Sequence, residues 1–176
     1  MVKVRVAIFV PPKDFRDETL SMVKLILEKW KVDGIITSYT TKECIGKHGA
    51  VYKPAINTAK VDPAEFDGIV LIDGDGVESY KLYDFRPLLD LVKRFYESKK
   101  IVGAIGNAIK IIARANIILD TKISAPIDEE TQRLMRIYYG LNSPMEVEAD
   151  KNIITARNPE NADAFAQILL EKLGVK

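Results

Sequence analysis

At one place in this chain a strand runs straight into a helix, and a glycine and an asparagine occupy the junction. In IVGAIGNAIKIIARANI, residues 101 to 117, Ile101 to Ile105 is a short apolar run suited to a strand buried on both faces. Ala108 to Ala115 carries apolar residues at helical spacing, so Gly106 and Asn107 are the whole turn. Such a junction puts the turn at the carboxyl edge of a sheet, beside the free N–H groups of a helix start. That is the outline of a nucleophile elbow, where an enzyme places Ser or Cys and accepts backbone strain to expose it. Glycine adopts those dihedrals without strain and has no side chain to react. On these residues alone, a tight turn and a site without its nucleophile both stay open.

The other chemistry-bearing residues are few. Gly74 to Gly76 forms a Gly-Asp-Gly turn after the apolar stretch FDGIVLID, but the third glycine of a dinucleotide fingerprint is missing and this is not the first strand. No Walker loop, Gly-x-Ser-x-Gly or zincin helix occurs. His48 is the single histidine, so any Ser-His or Cys-His pair would need it; in a glycine-flanked turn a structural role is expected. Cys44 is the single cysteine, which excludes an internal disulfide and a cysteine zinc cluster. Nothing near it in sequence would activate the thiol, and a half-buried small hydrophobe is expected. No metal site and no cofactor is expected. Glu18 falls at a helix start, where the dipole favours a carboxylate.

The elements that position these residues alternate. Val2 to Val10 reads as a buried strand ended by Pro11 and Pro12. DFRDETLSMVKLILEKW reads as a helix with Leu20, Val23, Leu25, Ile26, Leu27 and Trp30 on its apolar face. Gly34 to Tyr39 is a second strand, and KECIGKHGAVYKPAI offers two short extended pieces, a small hairpin added to the sheet. A helix from Asp84 to Tyr96, with Pro87 in its first turn, precedes the elbow. Asn116 is placed to cap the elbow helix in the left-handed conformation. Thr121 to Ala125 and Met145 to Thr155 look extended around a helix from Asp128 to Tyr138, and a helix from Ala162 to Leu173 closes the chain. A three-layer α/β sandwich with a mostly parallel sheet follows.

At 176 residues one domain, 1–176, is expected, with no internal repeat or linker. The 47% apolar and 29% charged content is that of a soluble globular protein, and no apolar run is long enough to span a bilayer. The amino terminus shows no signal-peptide pattern, so cytoplasm is the expectation. A net charge of +1 gives no overall field favouring nucleic acid or an anionic membrane. Glutamine occurs only at 132 and 167 among many Lys and Glu, a bias of the kind found in thermophile proteins.

Taken together, these stretches resemble the ThiJ/PfpI family of the class I glutamine-amidotransferase-like superfamily, over nearly the whole chain. GKHGAVYKPAI and PAEFDGIVLIDG resemble that family's Gly-x-His-Gly hairpin and its strand ending in Leu-Pro-Gly-Gly. VGAIGNAIKIIARANII resembles Ala-Ile-Cys-His-Gly-Pro and its helix, and IITARNPENADAFAQILLEKLG resembles the closing Thr-x-Arg-x-Pro strand and terminal helix. Glu18 stands about where the family keeps its site glutamate. The resemblance implies a flavodoxin-like α/β/α sandwich and a homodimer or higher oligomer.

It also puts Gly106 where the family has its cysteine nucleophile and Asn107 where many members have a histidine. Ile72 and Asp73 replace the proline and first glycine of Leu-Pro-Gly-Gly, while Gly74 keeps the second. The family's protease-like, glyoxalase-like, deglycase-like and sensor roles all run through that thiol. The expectation is a non-catalytic protein binding a small molecule or ion through Glu18, Asp73, Gly74, Gly106 and Asn107, with free backbone N–H groups at Gly74 and Asn107. The alternatives are a hydrolase- or lyase-type enzyme using the Glu18 and Asp73 carboxylates near Gly106, and a structural or interaction protein with a vestigial pocket. A cysteine placed at 106 would be expected to become an unusually reactive thiol.

Overall fold

The computed structural model describes residues 3–176, so Val2 of the expected first strand lies outside the described residues. The order is β1 (Arg5–Phe9), β2 (Lys13–Phe15), α1 (Asp17–Lys29), β3 (Asp33–Ser38), β4 (Cys44–Gly46), β5 (Val51–Tyr52) and β6 (Ile56–Asn57). Then come β7 (Gly68–Leu71), α2 (Asp75–Ser79), α3 (Arg86–Glu97), β8 (Ile101–Ile105), α4 (Ile109–Arg114), β9 (Lys122–Ile123) and α5 (Glu129–Ile137). β10 (Leu141–Asn142), β11 (Val147–Asp150), β12 (Ile153–Ala156) and α6 (Ala162–Lys172) complete the chain.

Seven strands form the central sheet in the order β11-β12-β8-β7-β1-β3-β6, parallel except for β11. Its middle strands are continuous apolar runs because both faces are covered. Alternate residues separate cleanly: Phe9, Leu71 and Ala104 face the side of α3, α4 and α5, while Ile8, Val70 and Ile105 face the side of α1 and α6. This is the expected α/β/α sandwich. The amphipathic pattern of α3 holds as read, with Leu88, Leu89, Leu91, Val92 and Phe95 buried and Pro87 in the first turn. Asn116 has φ +61°, the left-handed cap expected of it.

Local readings change in four places. The segment read as a helix from residue 14 is extended over Lys13–Phe15, and α1 starts only at Asp17, with Asp17 and Glu18 in its first turn. Leu25 and Trp30, assigned to the apolar face of α1, are 63% and 37% exposed, since the helix packs through Leu20, Val23, Ile26 and Leu27. The expected hairpin forms from β4 and β5, but β4 pairs with β2 in a separate three-stranded sheet, and only Ile56, in β6, joins the central one. The Asp17 carboxylate holds the hairpin there by accepting the N–H groups of His48 and Ala50 at 2.9 Å each. Finally, the single extended reading of Met145 to Thr155 is an antiparallel pair, folded back at Lys151 (φ +55°).

Candidate functional site

Because β1, β7, β8 and β12 are parallel neighbours, their carboxyl ends bring four loops together: residues 10–16, 72–75, 106–108 and 157–161. Chain order reverses between β1 and β7, and a crevice at such a reversal is where open α/β sheets bind ligands.

Gly106 sits in this crevice with φ +57°, directly between β8 and the helical turn that leads into α4. The elbow geometry anticipated from sequence is therefore present, in the left-handed region that glycine tolerates. A Cβ at this position would lie 2.9 Å from Asp73 Oδ2 and 3.3 Å from Asp73 Cβ. The Asp73 side chain thus takes the volume that a side chain at 106 would enter.

Asp73 is only 3% exposed. Its Oδ2 accepts a hydrogen bond from Arg16 Nε at 3.2 Å, while Oδ1 is buried without a partner, as is Thr19 Oγ1. Burial disfavours the charged carboxylate and lifts its pKa to about 6, against the opposing pull of the Arg16 guanidinium.

Asn107 does not project into the crevice as a free polar group. Its Nδ2 donates to the Gly74 carbonyl at 2.8 Å, and its Oδ1 accepts the Gly74 N–H at 3.2 Å, so the side chain clasps the backbone of one residue on both sides of its Cα. The Gly74 N–H, expected to be free for a ligand, is used internally. Gly74 itself has φ +141°, and a Cβ there would come within 2.4 Å of the Asp14 carbonyl oxygen. The 13–16 segment passes that close because Phe15 bridges to Gly74 and the Arg16 N–H donates to the Asp73 carbonyl at 2.9 Å. A Cβ on Gly76 would meet the Lys13 carbonyl at 2.0 Å. Both glycines of the Gly-Asp-Gly turn thus answer to backbone packing.

Two adjoining cavities open here. One, of about 200 Å³, is lined by Asp73, Gly106 and Asn107 together with Arg16, Arg157 and Asn158. The other, of about 140 Å³, is lined by Glu18 and His48 with Asp14, Arg16, Lys47 and Asp75. Glu18 is turned toward His48, with Oε1 3.5 Å from Nε2, and is largely exposed. The structure thus places Asp73, Gly74, Gly106 and Asn107 around one cavity and Glu18 in the neighbouring one; no hydrogen bond joins the two carboxylates. Arg16, Gly74 and Asp75 border both cavities. A salt bridge to Lys47 holds the Asp75 carboxyl below the usual carboxylate range.

Cys44 lines neither cavity. It is fully buried rather than half-buried, and burial pushes its thiol up, away from reactivity. Among the described residues, no group of three or more His, Cys, Asp and Glu side chains is placed to hold a metal ion. No helix among them is long and apolar enough to cross a membrane.

Sequence reasoning passed over Arg16 and Arg157. Arg157 was open to detection, since it follows the closing strand inside the Thr-x-Arg-x-Pro stretch and so falls at the carboxyl edge. Arg16 was hidden inside a segment read as helix.

Comparisons with known proteins agree with this architecture. The uncharacterized protein MJ0967 of Methanocaldococcus jannaschii is 30% identical over 174 residues, 98% of this chain and 84% of that one. The crystal structure of a ThiJ/PfpI domain protein from Brachyspira murdochii superposes with a TM-score of 0.88 at 25% identity, covering 99% of this chain and 97% of that one. DJ-1beta of Drosophila melanogaster shares the fold, with a TM-score of 0.84 at 18% identity over 99% of this chain and 92% of its own. The model of the DJ-1/PfpI family matches residues 4–172, almost end to end, and the chain belongs to that family.

Proposed function

We propose that this protein is a DJ-1/PfpI member that works without the family's thiol chemistry and binds a small polar molecule or ion in the crevice of Asp73, Gly106 and Asn107, as a homodimer in the cytoplasm. One observation carries the reading: the elbow at Gly106 is kept while the Asp73 carboxyl fills the space a nucleophile would need. The single thiol, Cys44, is buried elsewhere and cannot substitute. The test has two arms. Wild-type protein and Cys44→Ala should consume reactive aldehydes and peptides no faster than buffer, and a cysteine-dependent rate would overturn the reading. Crystals soaked with small polar molecules of positive, negative and zero charge should show one of them ordered beside Asp73 and Asn107; a crevice empty in every soak would favour the vestigial-pocket alternative.

A second reading, an enzyme driven by a carboxyl, is favoured by the pKa of Asp73, about 6, which is in the range where an acid-base group works near neutral pH. Glu18 supports it less, being turned to His48. A turnover that disappears in Asp73→Asn would establish it.

A further inference from the structure

We propose that the molecule held in the elbow crevice is a small oxyanion, a carboxylate or a phosphate, gripped between Arg157 and Arg16. This rests on the binding reading above and adds the chemical class.

Arg16, Asp73, Asp75 and Arg157 are the charged residues around the 200 Å³ cavity. Lys47 engages the Asp75 carboxylate, and Arg16 engages that of Asp73. Among the described residues, Arg157 has no such counterpart. Its Nε donates to the Ala125 carbonyl at 3.1 Å, and its Nη2 donates to the Ser143 and Met145 carbonyls at 2.7 and 3.1 Å. Carbonyl oxygens orient a guanidinium without neutralising it, so a full positive charge is fixed at the cavity wall. Among the described residues, Nη1 of Arg157 makes no hydrogen bond within the protein.

Arg16 faces the same cavity with only Nε committed to Asp73, and its side chain is 44% exposed, leaving both terminal nitrogens for a ligand. Guanidinium groups match carboxylate and phosphate oxygens in pairs, and a group already oriented loses little entropy on binding. The cavity, of about 200 Å³ and open to solvent, has room for an anion of a few heavy atoms.

The test is a titration of the isotope-labelled full chain, followed by nuclear magnetic resonance, with acetate, inorganic phosphate and the neutral acetamide at constant ionic strength. Acetate or phosphate should shift the Gly106 and Asn107 amides and the Arg157 Nε–H saturably, and whichever binds more tightly names the source of the oxyanion. Acetamide, and either anion with Arg16→Gln, should bind roughly tenfold more weakly or less, the effect of losing one charge-assisted contact. Arg157→Lys should weaken the anions similarly, while Arg114→Gln, outside the crevice, should change nothing. The Arg16→Gln spectrum must otherwise match wild type, which separates lost binding from lost folding. Equal binding of acetamide would overturn the anion class while leaving the binding reading intact. Silence of the crevice resonances toward all three probes would remove both, and shifts that never saturate and reach Arg114 equally would show screening of surface charge and overturn the proposal.

Discussion

Asp73 and Gly106 are far apart in sequence and form one unit in space, so changing either alone disturbs the other. At Gly106→Cys the new Cβ would stand 2.9 Å from Asp73 Oδ2, and a cysteine would also have to adopt φ +57°. The reactive thiol expected from sequence therefore needs its space cleared. In a Cys44→Ala background, Gly106→Cys alone should alkylate slowly with iodoacetamide, whereas adding Asp73→Gly should give a thiol with a pKa well below the ordinary ~8.5. Identical pH profiles for the two variants would mean that the Asp73 carboxyl does not occupy the elbow. Gly106 and Asn107 could be singled out from sequence because a strand, a turn and a helix met there without a linker, and Asp73 because the family resemblance puts it in place of a glycine. Arg157 was within reach of the same reasoning through the Thr-x-Arg-x-Pro stretch, whereas Arg16, inside a segment read as helix, looks like any solvated cation until the fold places it on a cavity wall.

At the scale of elements, the clasp between Asn107 and Gly74 ties the β8–α4 turn to the β7–α2 turn through one side chain. Removing it with Asn107→Ala leaves a partly buried N–H and C=O unpaired, a loss of about 1–3 kcal/mol. In a chain of this size that corresponds to a fall of roughly 2–4 °C in Tm per kcal/mol, readable by calorimetry. An unchanged Tm would show that water replaces the clasp at no cost. The long apolar elements were legible because their periodicity agrees with their burial: β7 and β8 are apolar throughout, and α3 repeats at helical spacing. The short ones were not. β2 is three residues long, and its pairing with β4 depends on the carboxylate of Asp17 reaching the backbone of 48–50, which no local pattern announces.

For the whole molecule, assembly and pH response can both be measured. A homodimer is expected from the family resemblance, and light scattering that returned 19.7 kDa at tens of micromolar would remove it. The pH response follows from Asp73, whose folded pKa of about 6 lies above the ordinary 3.8. A carboxyl with a raised pKa binds its proton more tightly in the folded state. Its favourable contribution is thus complete below pH 3.8 and is lost as pH rises through about 6. Above that, the folded protein carries a buried charge that its contact with Arg16 does not fully offset. The shift corresponds to roughly 3 kcal/mol at ~1.36 kcal/mol per unit, an upper figure for one group. Asp73→Asn cannot ionise, so its stability relative to wild type should rise between pH 4 and pH 7 and level off above. Urea unfolding of both proteins across that range measures the difference directly. A constant offset would mean that burial does not raise the Asp73 pKa above its ordinary value.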